Sequence, residues 1–276
     1  MAVIGAAVPG RCIALMLASR SKVRIYDPAS EVGEEAVAFV EEHARGVVTR
    51  KGSTTPGSVM TTGNLEEAVS DAWLVIEAVP EHLQLKRLIL AELDRVAAPD
   101  AILASTSFSY PTSRLVEGLT RPDRVVSMHF YAPPQQAVVD LMASGHTDRR
   151  VMKFLMGELS GYGLQPFEAR REGRGFAFHR IWAAVQRESL AVVADGVSTP
   201  QDIDSMWEAS TGLAEGPFRT MDRVGLDIVL DIENHYSAEN PTPATGPREL
   251  LQLHVDAGHL GVKTGRGFYD DYSAPS

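Results

Sequence analysis

A glycine-spaced loop follows the first apolar segment of the chain. Gly5, Ala7 and Gly10 occupy the three glycine positions of a G-x-G-x-x-G pattern, with alanine at the second. In that pattern the backbone approaches the pyrophosphate of a dinucleotide at a helix N-terminus. Ala7 places a methyl group there, and Pro9 removes one N–H donor. The loop is therefore either a dinucleotide site with weakened phosphate binding or a site that has lost its cofactor.

An acidic residue follows the second apolar segment. Asp27 comes directly after Lys22 to Tyr26, which reads as a strand. A carboxylate at this point accepts hydrogen bonds from an adenosine ribose, and it would repel a 2′-phosphate. No arginine directly follows Asp27 to receive such a phosphate. The pattern predicts that any bound dinucleotide is NAD rather than NADP.

His129 is the strongest candidate for acid–base chemistry. It follows the predicted parallel strand Val125 to Met128, and ligands bind at the carboxyl edge of such strands. Asp140 lies a short loop away and could bond the second imidazole nitrogen, which would fix the tautomer and raise the basicity. The alternative is a histidine bonded by backbone, with Asp140 a solvated loop acid. We predict a catalytic pair.

Other polar groups admit two interpretations. Ser105, Ser107 and Ser109 follow the predicted strand Ile102 to Ala104, where they either face the same crevice or bond their own backbone. Glu81 and Lys86 flank a helix start, and taken alone they favour an ion pair on a solvated face. The remaining histidines lack metal-ligand spacing, and the lone Cys12 excludes a thiolate zinc site, so no metal is implied.

Composition excludes several classes of partner. Lysine and arginine number 26 against 36 aspartates and glutamates, a net charge of −10, and no basic cluster appears. Nucleic acid and anionic membrane surfaces are therefore not expected as partners. The chain begins in a strand without a signal peptide, and no apolar run is long enough to span a bilayer, so we expect a cytoplasmic protein.

The elements that position these residues change in character near Gly173. Before it, apolar runs alternate with helical patterns, which predicts a doubly wound, mostly parallel sheet. After it, the pattern is helical, and it carries more apolar faces than one sheet edge can cover, which favours a homodimer. The predicted fold class is α/β, a Rossmann-type sheet domain over residues 1–172 followed by an all-α C-terminal domain over residues 173–276.

The segments together resemble the L-3-hydroxyacyl-CoA dehydrogenase family, in the family's order and over nearly the whole chain. The matching stretches are Val3 to Ala14, Leu74 to Lys86, Ile102 to Tyr110, Arg124 to Pro133, Gly175 to Arg180 and Leu260 to Tyr269. The resemblance implies that His129 is the general base and that Asp140 approximates its acidic partner, here Asp instead of Glu and one position closer. It also implies that Glu81, Lys86 and Lys263 contact a nicotinamide cofactor.

The chain departs from the family where substrate oxygens are bound. The catalytic serine is matched by Phe108, and the asparagine two residues earlier by Thr106. The asparagine after the histidine is matched by Ala132, and the substrate-contacting asparagine of the second domain by His179. The segment Gly46 to Val59 is short where acyl-CoA enzymes carry a helical hairpin. The candidate substrate-facing residues are Ser107, Phe108, Ser109 and His179.

Three functions remain open from the sequence. The first is an NAD-dependent oxidoreductase acting on a hydroxyl/ketone pair of a small molecule other than an ordinary acyl-CoA. The second is a non-redox lyase, isomerase or cyclase that uses His129 as acid and base on a specialised metabolite. The third is a non-catalytic protein that binds a small molecule. Fold alone does not separate them, because function resides in the site.

Overall fold

An eight-stranded sheet forms the centre of the first of two compact units, Met1–Phe176 and Ala177–Ser276. The computed structural model describes residues 1–51, 57–131, 133–173, 175–239 and 245–273. The strands are β1 (Ala2–Ile4), β2 (Val23–Tyr26), β3 (Val59–Thr62), β4 (Leu74–Glu77), β5 (Ile102–Ser105), β6 (Val125–Phe130), β7 (Val138–Ala143) and β8 (Gln165–Ala169).

The strand order is β3-β2-β1-β4-β5-β6-β7-β8. All neighbours pair in parallel except β6 and β7, which are antiparallel. The first six strands therefore end at one common edge of the sheet, where the loops after β1, β4 and β5 lie beside one another. This arrangement confirms the predicted doubly wound sheet.

Helices cover both faces of this sheet. In the first unit they are α1 (Val8–Leu17), α2 (Ser30–Lys51), α3 (Leu65–Val69), α4 (Leu83–Val96), α5 (Thr112–Leu115) and α6 (Arg149–Glu158). Val3 and Ile76 point into an apolar cluster with residues of α1, α2 and α6, whereas Ile4 and Val75 point into another with α3 and α4. The alternation of side chains along each strand explains why these strands are apolar throughout.

Two strands and one helix start differ from the sequence prediction. Strands β3 and β7 were not predicted, since β3 is partly exposed and Asp140 interrupts the apolar run of β7. Asp140 therefore lies within a strand and not in a loop. The sequence pattern predicts a first helix over Arg11 to Arg20, whereas α1 begins at Val8, so that Gly10 lies in its first turn.

The second unit is helical. Its helices are α7 (Ala177–Ala194), α8 (Pro200–Thr211), α9 (Pro217–Val224), α10 (Leu226–Glu239) and α11 (Gly246–Asp256). The sequence pattern predicts one helix over Val224 to Tyr236, whereas the structure has α10 there and a separate helix, α9, before it. Gly225, whose φ is +106°, ends α9 and separates it from α10. The sequence also predicts a Pro/Thr/Gly linker over Asn240 to Gly246, of which residues 240–244 lie outside the described residues.

The structure divides into two compact units after Phe176. The domain boundary that the sequence predicts after residue 172 stays a prediction. Within the described ranges, no helix is both long and apolar enough to cross a membrane. Over the same part of the chain, no group of three or more His, Cys, Asp and Glu side chains is arranged to hold a metal ion.

Candidate functional site

The glycine loop is held tightly against its neighbours at its first and last glycines. Gly5 has φ +103°, and a Cβ there would lie 2.8 Å from the carbonyl oxygen of Ala78. A Cβ at Gly10 would overlap the carbonyl oxygen of Gly5. Both positions therefore require glycine for the close packing of β1, α1 and the loop after β4. The loop thus keeps the close packing that the first and last glycines of a G-x-G-x-x-G pattern allow.

The middle of the same loop lies at the surface. Ala7 is exposed and is the N-cap residue of α1, and its carbonyl oxygen accepts the Arg11 N–H at 3.0 Å. Pro9 occupies the first turn and contributes no N–H. The helix start thus offers an anion one backbone donor fewer than an intact loop would.

Asp27 lies beside this loop. Its Oδ2 accepts the Ala6 N–H at 2.8 Å, and its Oδ1 accepts the Ala29 N–H at 3.0 Å. A carboxylate has about four acceptor positions, so capacity for a ribose hydroxyl remains. The structure therefore places Asp27 where the sequence predicted, and the loop, the helix start and the carboxylate together fit a dinucleotide.

A buried charged network follows β4. Glu77, the last residue of β4, and Lys86, in the first turn of α4, are 0% and 1% exposed. The Lys86 Nζ donates to Glu77 Oε1 at 2.9 Å and to the Val79 carbonyl at 3.1 Å, and it lies 3.4 Å from Glu81 Oε2. One ammonium thus holds two carboxylates in place. The interpretation of Lys86 as part of a solvated ion pair is wrong, because the side chain is buried.

Serines at the end of β5 and in the loop after it complete this network. Ser105 Oγ donates to Glu77 Oε2 at 2.6 Å, and Ser107 Oγ donates to Glu81 Oε1 at 2.7 Å. The Ser109 N–H also reaches Glu81 Oε1, at 3.0 Å. Ser105 and Ser107 are buried, so their hydroxyls fix the carboxylates, whereas Ser109 is exposed. Ser107, predicted to face substrate, is thus brought to Glu81.

Glu77 is the residue of this network that sequence reasoning missed. It ends an otherwise apolar strand, Leu74 to Ile76, and Lys86 follows nine residues later. An acid at the end of a doubly covered strand needs a buried cation or hydrogen-bond donors. That requirement is the signal that could have identified it.

His129 and Asp140 lie directly opposite each other on β6 and β7. Directly opposed residues of an antiparallel pair project from the same face, with Cβ atoms about 4.5–5.5 Å apart. Asp140 is 9% exposed, which contradicts its interpretation as a solvated loop acid. The antiparallel register therefore brings Asp140 opposite His129, by a route that the sequence did not show, and the catalytic pair stays a prediction.

Tyr131 links to both members of this pair. Its hydroxyl donates to Asp140 Oδ2, and its ring lies edge-on to the His129 imidazole with centroids 5.0 Å apart. Burial and the hydrogen bond to Asp140 raise the pKa of Tyr131 above its ordinary value. The phenol therefore stays protonated and remains a donor.

Two phenylalanine rings also flank His129. Phe176 is buried and stacks on the imidazole at 5.5 Å, with 27° between the planes. Phe108 lies edge-on at 6.1 Å and is 41% exposed. Of these rings, Phe108 is the one that an incoming molecule can touch. It occupies the position where the family resemblance places a serine hydroxyl.

The remaining candidates lie in the second unit or outside the described residues. His179 is in the first turn of α7 and is half-buried. Lys263 Nζ donates to both Asp227 carboxylate oxygens, at 2.5 and 2.6 Å, so the side chain is already held by an acid. Ala132, matched to an asparagine of the family, lies outside the described residues. These positions keep their predicted roles as expectations.

Two family models match the chain. One, described as the NAD binding domain of 3-hydroxyacyl-CoA dehydrogenase, matches residues 1–171. The other, described as its C-terminal domain, matches residues 175–271.

Relatives extend this match to whole proteins. A 3-hydroxybutyryl-CoA dehydrogenase of Mycobacterium tuberculosis is 34% identical, over 97% of this chain and 96% of its own length. A 5-formyl-3-hydroxy-2-methylpyridine 4-carboxylate 5-dehydrogenase of Mesorhizobium japonicum is 28% identical, over 98% and 89%. The solved structure of a diketoreductase acting on dicarbonyl compounds has a TM-score of 0.81, with 28% identity and 97% of each chain covered.

One relative is much longer than this chain. The 3-hydroxyacyl-CoA dehydrogenase-like protein LAM1 of Cochliobolus heterostrophus is 39% identical over 154 residues, which are 55% of this chain and 32% of that protein.

Proposed function

The chain belongs to the 3-hydroxyacyl-CoA dehydrogenase family, and we propose that it oxidises a secondary alcohol to a ketone, or the reverse, with NAD as cofactor. The observation that carries the proposal is His129 at the carboxyl edge of the sheet, opposite Asp140 and on the same edge as the glycine loop. Its relatives are oxidoreductases, and the comparisons give the lyase, isomerase or cyclase alternative no support.

Residues of the first unit bind the cofactor and accept the proton of the alcohol. Gly5 and Gly10 allow close approach of the backbone, and Asp27 binds the ribose. Glu81, fixed by Lys86 and Ser107, is a further cofactor contact. When bound, NAD accepts the hydride from the carbinol carbon. His129 takes the hydroxyl proton onto the ring nitrogen that faces away from Asp140, and Asp140 stabilises the resulting imidazolium.

The test of redox function compares conversion with and without NAD. Protein freed of nucleotide should convert no substrate, and added NAD should restore conversion with one NADH formed for each ketone. Conversion at an undiminished rate without nucleotide would favour the non-redox alternative. Binding of NAD and ligand without any conversion would favour the third function, a binding protein.

NAD should bind more tightly than NADP. The Asp27 carboxylate, held by the N–H groups of Ala6 and Ala29, would lie against a 2′-phosphate and repel it. Isothermal titration calorimetry with each dinucleotide measures the difference, and Asp27→Asn should reduce it. Equal or tighter binding of NADP by the wild-type protein would contradict the prediction.

Restoring the loop should tighten NAD binding. The double variant Ala7→Gly, Pro9→Met removes a methyl group from the phosphate-facing surface and returns one N–H to the helix start. One regained hydrogen bond to a charged group is worth about 1.5–3 kcal/mol, or roughly 10- to 150-fold in affinity. Adenosine is the control ligand, because it lacks the pyrophosphate and its affinity should stay unchanged. No change for NAD would mean that the pyrophosphate does not bind there.

We further propose that the substrate carries an aromatic ring next to the carbinol carbon and is not an ordinary acyl-CoA. Phe108 presents an exposed ring beside His129, where a serine would offer a hydroxyl. Aromatic rings pack against each other with about 0.5–1.5 kcal/mol beyond the area they bury. The pyridine-carboxylate enzyme of Mesorhizobium japonicum shows that a relative acts on a ring compound.

Two ketones of matched shape separate aromatic from merely apolar binding. In the presence of oxidised NAD, which cannot reduce a ketone, the wild-type protein should bind acetophenone about 2- to 10-fold more tightly than cyclohexyl methyl ketone, as measured by ligand-detected NMR titration. Phe108→Leu should abolish the preference, whereas Phe167→Leu, which changes an exposed ring on β8, should preserve it. Equal affinities in the wild-type protein would contradict an aromatic substrate.

We propose a homodimer formed through the second unit. Leu226 and Leu230 are among the apolar residues from which the sequence predicts a dimer, but they are buried in that unit's own core. Exposed apolar side chains support the proposal instead: Phe178, Ile181, Met206, Ile228 and Leu253. Light scattering should then report about twice the 29.9 kDa chain mass. The domain boundary after residue 172 and a cytoplasmic location stay predictions.

A further inference from the structure

We infer that Tyr131 is a positioning residue that fixes both His129 and Asp140. The inference rests on the proposed role of His129 as the base. The Tyr131 hydroxyl donates to Asp140 Oδ2, and the Tyr131 ring packs edge-on against the imidazole, with centroids 5.0 Å apart. Tyr131 therefore contacts Asp140 through its hydroxyl and His129 through its ring.

The strand register explains how Tyr131 reaches both groups. Tyr131 directly follows β6 and comes two residues after His129, a spacing that puts side chains on the same face where the chain stays extended. The Tyr131 N–H donates to the Val138 carbonyl at 3.2 Å, which extends the pairing with β7 beyond Phe130. Asp140 lies across from His129 on that face. The backbone pairing between β7 and the chain from His129 to Tyr131 thereby brings the three side chains close to one another.

The hydroxyl is not needed for packing. A phenylalanine would fill the same volume and make the same contact with the imidazole, whereas a buried phenol must find an acceptor. Tyr131 is 7% exposed, and its acceptor is the carboxylate of Asp140. An aspartate is one carbon shorter than the glutamate that the family resemblance implies. The phenol donor holds Oδ2, and the acceptor capacity of Oδ1 is left for other donors.

The phenol also sets how strongly Asp140 acts on His129. A hydrogen bond donated to a carboxylate reduces the negative charge available to a second partner. With Tyr131 present, Asp140 therefore stabilises the imidazolium less than a carboxylate without this donor would. Other charged groups at the sheet edge are Glu77 at the end of β4, Glu81 and Lys86 after it, and Asp27 after β2. None of them changes in the variants of Tyr131 and Asp140, so they do not contribute to a difference between those variants.

The experiment is an NMR titration of the His129 imidazole in a double-mutant cycle, with the resonance assigned by its loss in His129→Ala. Tyr131→Phe should raise the pKa of His129 by about 0.5–1 pH unit. Asp140→Asn should lower it, and Tyr131→Phe should then have no further effect in the Asp140→Asn background. Tyr162→Phe is the matched control, because Tyr162 is a buried tyrosine whose hydroxyl pairs with Ser21 at 2.6 Å.

A second variant reverses the sign of the effect and keeps the phenol ring. Site-specific 3-fluorotyrosine at position 131 is a stronger donor, and it should lower the pKa of His129. An unchanged His129 titration in Tyr131→Phe, or an equal shift with and without the Asp140 carboxylate, would overturn the inference. The readout needs neither NAD nor substrate. Failure of the proposed redox function would instead appear as absent turnover beside an intact titration cycle.

Discussion

Replacing His129 by alanine is expected to lower the rate of NAD-dependent alcohol oxidation by about 10²- to 10⁴-fold. No proton acceptor would then remain at this position of the sheet edge as hydride leaves the carbinol carbon. NAD binding should be retained, because the glycine loop, Asp27 and the network around Glu81 are untouched. Initial rates of NADH formation measure the loss, and calorimetry with NAD measures the retained binding.

Two further variants separate the base from its surroundings. Asp140→Asn should weaken turnover less than His129→Ala, because the imidazole remains and loses only a partner that orients it and stabilises its charge. His43→Ala removes an exposed histidine of α2, and it should leave the rate unchanged. If His129→Ala retained the wild-type rate with an intact fold, another group would have to be the base.

The sequence predicts this part of the site well because the signals are local. A glycine pattern after a first apolar run, an acid after the second and a histidine after a third each mark the end of a strand. In a parallel sheet those ends meet at one edge, so the positions of Gly5, Asp27 and His129 follow from strand alternation alone. The structure places Gly5 and Asp27 directly after β1 and β2, whereas His129 is the fifth residue of β6 and Phe130 ends that strand.

Other features of the site depend on contacts that no local pattern reveals. Asp140 interrupts an apolar run and therefore looks like a loop residue, yet the antiparallel return of β7 places it opposite His129. Ser107 looks like a candidate substrate ligand, yet Glu81 from another loop accepts its hydroxyl. In both cases the role is determined by a contact with a residue from another strand or loop, and no local sequence pattern identifies that residue.

Burial of charge is the clearest case. Glu81 and Lys86 flank a helix start, where a solvated ion pair is the commoner arrangement. Glu77, at the end of β4, is instead buried, and its carboxylate accepts a hydrogen bond from the buried ammonium of Lys86. The network is a consequence of how α4 packs on β4 and β5.

Replacing Lys86 by methionine is therefore expected to be the most destabilising single change considered for this chain. It leaves Glu77, which is 0% exposed, without its cation, while the Ser105 hydroxyl and the Val79 N–H still bond to the carboxylate. Removing one partner of a buried ion pair costs about 3–5 kcal/mol. That loss corresponds to a fall of roughly 6–20 °C in the midpoint of thermal unfolding, measured by scanning calorimetry. NAD binding should weaken as well, because Glu81 loses the same ammonium.

Matched variants test whether the buried charge is the cause. Arg95→Met removes an exposed cation from the same helix, whose ion pair with Glu66 is 67% and 68% exposed, and it should change stability by less than about 0.5 kcal/mol. The double variant Glu77→Gln, Lys86→Met should recover much of the loss, because the amide can still bond to Ser105 and the uncompensated charge is gone. If the double variant were as unstable as Lys86→Met alone, lost packing of the lysine stem would be the cause. Equal stability of Lys86→Met and the wild-type protein would mean that Glu77 does not carry a buried charge.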